Sequence, residues 1–102
     1  MNEPTLTPAV VIGTGLVGAS VGAALTASGV EVHLIDAVSS HARVAASRGG
    51  GMLEPIDPGT VRLVVVAVPP AQLAEVIADA LQTYAKATIT DVGSVKGTVL
   101  VD

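Results

Sequence analysis

The sequence predicts an α/β fold, a doubly wound parallel sheet with helices on both faces, and three observations carry that expectation. Short runs of Val, Leu and Ile alternate with segments of helical periodicity along the chain. Hydrophobic residues reach 50%, yet Tyr84 is the single aromatic, so the core must be built from Val, Leu, Ile and Ala. Strands buried on both faces of a parallel sheet use those side chains. Finally, an apolar run, Ala9 to Ile12, empties directly into Gly13-Thr14-Gly15-Leu16-Val17-Gly18, and a second apolar run ends on an acid, Val32-His33-Leu34-Ile35-Asp36.

The elements follow in order. Residues 1–8 carry Pro4 and Pro8 and read as a flexible lead-in to one domain over residues 9–102. After the first strand and the glycine turn, residues 16–28 form a helix that Gly29 stops, and residues 30–35 form the second strand. Ser39 can cap a helix running to about Arg48, ended by Gly49-Gly50-Gly51. Residues 52–56 make a short third strand, and Asp57-Pro58-Gly59 a turn. The strongest strand is 61–68, closed by Pro69-Pro70. Leu73, Val76, Ile77, Ala80 and Leu81 then fall at i, i+3, i+4, i+7 and i+8, with Glu75, Asp79 and Gln82 on the opposite face of that helix. Residues 87–91 are a fifth strand, and Ser94 opens another helix. Right-handed crossovers order these strands 3-2-1-4-5, a Rossmann-type sheet. The chain stops at Asp102, about two turns past Ser94, with no stop signal, so it reads as the first part of a longer polypeptide.

The spacing around the first turn is that of a dinucleotide site. Gly13 permits the tight turn, Gly15 lets the backbone approach a pyrophosphate, and Gly18 lets helix and strand pack closely. Thr14, Leu16 and Val17 complete the cradle at the helix N-terminus, where unpaired N–H groups and the helix dipole favour an anion. Asp36 lies 23 positions after Gly13, near the offset of the acid that accepts the ribose hydroxyls. Such an acid repels a 2′-phosphate, and no Arg sits beside it, Arg43 being seven positions on. NAD is therefore expected in preference to NADP. Glycine spacing alone is weak; the flanking strand, the uncharged helix and the terminal Asp36 give it weight.

Composition removes other classes. Net charge is −4 with no cluster of Lys or Arg, which argues against nucleic acid and anionic membranes as partners. Without cysteine there are no disulfides or thiolate metal sites, and no spacing of His, Asp and Glu suits a metal. Residues 4–30 carry no charge, and Gly18-Ala19-Ser20-Val21-Gly22 has the small-residue spacing of membrane helix pairs. However, Glu3 stands where a signal peptide needs positive charge, no Lys or Arg follows before Arg43, and Gly13 and Gly15 interrupt the run. A cytoplasmic protein without a membrane span is expected.

Ligands of such sheets bind beyond the carboxyl ends of the strands, near the reversal of strand order. Three segments reach that edge: the glycine turn, Val68-Pro69-Pro70, and Asp91-Val92-Gly93-Ser94-Val95-Lys96-Gly97. Val68 and Pro69 serve equally as a wall along a cofactor or, with Pro70 in the first helical turn, as a rigid joint. With Ser94 as N-cap, Lys96 falls in the first turn, where a cation opposes the helix dipole; an anionic ligand would account for it, as would simple solvation. Asp91 has a plain use in bonding turn amides. His33, inside a strand, and His41, on a surface helix, read as structural or solvated.

Gly13-Thr14-Gly15-Leu16-Val17-Gly18-Ala19-Ser20, the strand ending at Val68-Pro69-Pro70 and above all Asp91-Val92-Gly93-Ser94-Val95-Lys96 resemble the N-terminal domain of prephenate dehydrogenases, from about Ala9 onward. The resemblance implies oxidative decarboxylation of prephenate, or of its amino counterpart arogenate, on the route to tyrosine. It implies that Gly93 and Ser94 approach the cofactor, that Ser94 helps orient a catalytic histidine and the substrate, and that Lys96 meets the substrate's polar groups. The family's catalytic histidine, in a His-Pro segment after this point, its substrate-binding arginines and its helical dimerisation domain are not in this chain. The expectation is accordingly an NAD-binding domain that does not itself turn over prephenate, within a parent enzyme that is a homodimer. The alternatives are an NADP-using arogenate dehydrogenase and a non-catalytic NAD-sensing domain.

Overall fold

The computed structural model describes residues 6–92. Its strands are β1 (Ala9–Ile12), β2 (Val32–Ile35), β3 (Leu63–Val66) and β4 (Thr88–Asp91), and its helices α1 (Leu16–Ala27), α2 (Ser39–Ser47) and α3 (Pro70–Thr83). Every pairing is parallel, in the order β2-β1-β3-β4. Central β1 and β3 are built wholly from Val, Leu, Ile and Ala, as strands covered on both faces should be.

Alternation along the strands divides the core in two. Ala9, Val11, Val32, Leu34, Leu63 and Val65 meet Ala19, Val21 and Leu25 of α1 and Ala45 of α2 on one face. Val10, Val64 and Val66 meet Leu73, Val76, Ile77 and Ala80 of α3 on the other, with Tyr84 closing that side. Small residues let α1 lie close: a Cβ at Gly22 would run into the carbonyl oxygen of Gly50. No helix among the described residues is long and apolar enough to cross a membrane.

The predicted architecture is present, with shorter strands. The expected 30–35, 61–68 and 87–91 runs are trimmed to four residues each. The expected third strand, 52–56, contracts to one bridge between Met52 and His33 on the outer edge of β2, the place the predicted order assigns it. Met52 N–H donates to Val32 O (2.8 Å) and its carbonyl accepts from Leu34 N–H (2.9 Å). Beyond that pair the Glu54 carbonyl turns to the buried ring of His33, accepting from Nδ1 at 2.7 Å, while Nε2 meets the Glu31 carboxylate at 2.6 Å. A side chain thus replaces the ladder. Ser39 proves to be the first residue of α2 and not its cap; Val38 is the N-cap, and its own apolar side chain caps nothing.

Replacing the fully buried Val64 by Ala, in the central strand β3, is expected to cost about 1.5–3 kcal/mol from lost burial plus the residual cavity. Thr88→Ala on the exposed edge should stay within about 0.5 kcal/mol. Urea denaturation of the two variants measures the contrast.

Candidate functional site

The carboxyl ends of β1, β2 and β3 converge on the glycine turn. Gly13 N–H donates to Ile35 O at 2.7 Å, and Ala67 N–H donates to Ile12 O at 2.8 Å, so the turn is tied to both neighbouring strands. Gly13 has φ +93°, and a Cβ there would lie 2.6 Å from the carbonyl oxygen of Ala67. Only glycine fits both the conformation and the space. At Gly18 a Cβ would collide with the carbonyl of Gly13, so the close packing of turn and helix depends on its absence.

Gly15 differs: its φ is −67°, and nothing lies within 4 Å of where a Cβ would be. It is the N-cap of α1 yet offers no side-chain acceptor, and the first helical turn contains no acid. No side chain therefore caps the opening N–H groups of α1, and Leu16, 85% exposed, stands at the mouth with the half-exposed Val17. Val68, half-buried, packs toward Gly13 from the end of β3, and the exposed Pro69 caps α3. Asp91, half-buried at the end of β4, is level with Val66. Gly93, Ser94 and Lys96 lie outside the described residues.

Asp36 is drawn onto this turn. Its Oδ2 accepts from Thr14 N–H at 2.6 Å and from the Thr14 hydroxyl at 2.7 Å, and its Oδ1 accepts from Val38 N–H at 2.8 Å. The side chain is 12% exposed, and Nδ1 of the more exposed His41 lies 3.8 Å from Oδ1. Burial pushes the carboxyl pKa up, but the bonds from Thr14 and Val38, with the charge of His41, outweigh it and hold Asp36 below the ordinary carboxylate value.

Two cavities flank this carboxylate. One of about 440 Å³ lies between Asp36, Ser39 and Arg43 and the diverging segment 53–56. A second of about 220 Å³ lies between Thr14, Gly15 and Leu16 and the face of α2 carrying His41, Val44 and Arg48. Sequence reasoning set Arg43 aside as too distant, although it shares a cavity with Asp36. The i, i+3, i+7 spacing of His41, Val44 and Arg48 was the available signal for the second cavity. Nothing local announced the first, which exists because the third strand leaves β2. Among the described residues no group of three or more His, Asp or Glu could hold a metal ion. His33 is engaged at both ring nitrogens, and His41 stands in solvent beside Asp36.

No protein-family model matches the chain. Over 88 residues, 86% of its length, it is 43% identical to a Streptomyces niveus protein named "Probable prephenate dehydrogenase NovF", of which it spans 24%. Its fold is similar to that of a crystal structure of Synechocystis arogenate dehydrogenase, with a TM-score of 0.72 and 20% sequence identity, over 83% of this chain and 32% of that one. The chain thus spans about a quarter of the curated relative and a third of the solved structure. The sequence match supports a prephenate/arogenate dehydrogenase family fragment, and the fold match, at 20% identity, supports the α/β architecture alone.

The lowered pKa of Asp36 fixes the sign of an acid dependence. The folded carboxyl titrates below the unfolded one, so its contribution is complete above about pH 4 and is lost as pH falls through the folded value. Asp36→Asn is expected to cost about 1–3 kcal/mol at pH 7 by disturbing these charge-assisted bonds. In urea titrations the gap to the parent protein should narrow below about pH 4.

Proposed function

We propose that this prephenate/arogenate dehydrogenase family fragment is the nucleotide-binding portion of such an enzyme, holding a nicotinamide dinucleotide, NAD in preference to NADP, along the carboxyl edge of its sheet. The observation that carries the reading is the Asp36 carboxylate held on the glycine turn, 2.6 Å from Thr14 N–H, beside a helix start with no side-chain cap. An anion at that helix start suits its free N–H groups and its dipole, while a fixed negative charge next to it suits ribose hydroxyls and disfavours a 2′-phosphate.

The residues present fit the group. The backbone of Gly13, Thr14, Gly15, Leu16, Val17 and Gly18 would hold the pyrophosphate, Asp36 the adenosine ribose, and Val68, Pro69, Gly93 and Ser94 the approach to the nicotinamide. The open space over Gly15 is what a close-lying phosphate needs. The cavity between Asp36, Arg43 and residues 53–56 gives the adenine end an apolar wall. The dinucleotide supplies a hydride acceptor. Oxidation of the ring carbinol of prephenate or arogenate gives up a hydride and a proton, and loss of the ring carboxylate as carbon dioxide leaves an aromatic ring. Ser94 and Lys96 are the residues of this chain assigned to the substrate.

A second reading, NADP, draws support from Arg43, a cation of α2 that shares a cavity with Asp36. The position of the carboxylate itself favours NAD.

Calorimetric titration of the chain with NAD tests the cofactor reading. Binding is expected to weaken at least about tenfold in Gly15→Ala, because a methyl group would occupy the space over the turn. The thermal midpoint should hold or rise slightly, since the conformation at Gly15 is open to alanine. No NAD binding by the unaltered chain overturns the proposal. Prephenate- or arogenate-dependent reduction of NAD, assayed in the full reading frame, tests the chemistry.

A further inference from the structure

Thr14 is 5% exposed, one of two buried polar residues among those described, and it occupies the variable position between the first two glycines of the turn. Both of its donors, backbone N–H at 2.6 Å and hydroxyl at 2.7 Å, go to the same oxygen, Oδ2 of Asp36. A carboxylate offers about four lone-pair positions, two on each oxygen. Thr14 fills both on Oδ2, and Val38 N–H fills one on Oδ1. A single acceptor position is left, on the oxygen that faces His41.

We propose that the Thr14 hydroxyl is a positioning group that sets which dinucleotide this site takes, by fixing the Asp36 carboxylate against the glycine turn with one acceptor position open. The inference rests on the dinucleotide reading above and goes beyond it. A carboxylate free at both oxygens can take two neighbouring ribose hydroxyls; this one can take one. Hydrogen bonding to ribose therefore supplies only part of the discrimination, and the rest falls to where the charge is held. The clasp keeps that charge on the turn. Arg43, a cation that could receive a phosphate, lines a cavity with Asp36, and the His41 ring faces its Oδ1. Without the hydroxyl bond the side chain can turn toward Arg43, and its charge no longer stands on the turn where a 2′-phosphate would meet it.

The clasp is not needed to join the strands. β1 and β2 are paired along their full length, and Gly13 N–H already ties the turn to Ile35 O at 2.7 Å. A hydroxyl buried here beyond the needs of the sheet points to the carboxylate it holds.

Thr14→Val is nearly isosteric and keeps the backbone donor. Titration calorimetry of the 102-residue chain with NAD and NADP gives both Kd values for the parent, Thr14→Val and Thr14→Ser, with circular dichroism confirming the fold. The ratio of the NADP Kd to the NAD Kd is expected to fall at least about fivefold in Thr14→Val, the scale of one hydrogen bond to a charged group. In Thr14→Ser, which keeps the hydroxyl, it should stay within about twofold of the parent. If valine is not accommodated, Thr14→Ala must give the same fall. Equal weakening of both dinucleotides with the ratio unchanged overturns the proposal and leaves Thr14 a structural residue. So does a serine variant that loses discrimination. A parent chain that binds neither dinucleotide overturns the cofactor reading as well, which separates the two failures.

Discussion

Helix α1 has to come within backbone contact of the glycine turn and of the loop after α2, and most of the molecule is arranged around that approach. Gly18 lies where a methyl group would strike the carbonyl of Gly13, and Gly22 where one would strike Gly50. Any side chain at either point would move the helix off Ala9, Val11 and Val32, and the apolar face under α1 would open to water. The same approach directs the start of α1 at the ends of three parallel strands. Packing and site are thus set by the same two close approaches: the absence of two Cβ atoms permits the core and aims the helix N-terminus.

What could be read from sequence follows from how local each cause is. The order of the strands was legible because alternating apolar runs and helices leave few right-handed solutions. The pair Gly13 and Asp36 was legible as a spacing. Strand lengths were not, since valines at 61 and 68 have the same local preference as those within β3, and the ladder ends only where the neighbouring strands end. The third strand failed for a reason outside its own sequence: the ring of His33, on the adjacent strand, takes the Glu54 carbonyl. That divergence makes the larger cavity, and so brings Arg43 into a site from which linear distance had removed it. The cap of α2 is a similar case. Ser39 has the chemistry of an N-cap, but Asp36 already takes the N–H of Val38, and the helix begins one residue earlier than a serine cap would allow.

The segment carrying Gly93, Ser94 and Lys96 was the most family-specific part of the sequence, while the glycine turn is common to many dinucleotide proteins. The relation is reversed in the described structure, where the turn and Asp36 supply the geometry. The sequence match of 43% identity therefore says more about the class of enzyme, and the fold match at 20% identity more about architecture. Neither alone reaches cofactor choice.

At that carboxylate, acceptor capacity and permanence of charge oppose each other. Burial on its own would raise the pKa of Asp36 and favour the neutral acid, which neither repels a phosphate nor accepts strongly from a hydroxyl. The donors from Thr14 and Val38 reverse the shift, but each one occupies a lone pair that a ribose hydroxyl would otherwise use. A site left fully open to ribose would hold its charge less firmly; a site fully satisfied by its own chain would hold the charge and bind no sugar. Three internal donors and one open position form a compromise between those limits. In that compromise the negative charge is a property of the fold, held by Thr14 and Val38 before any ligand arrives.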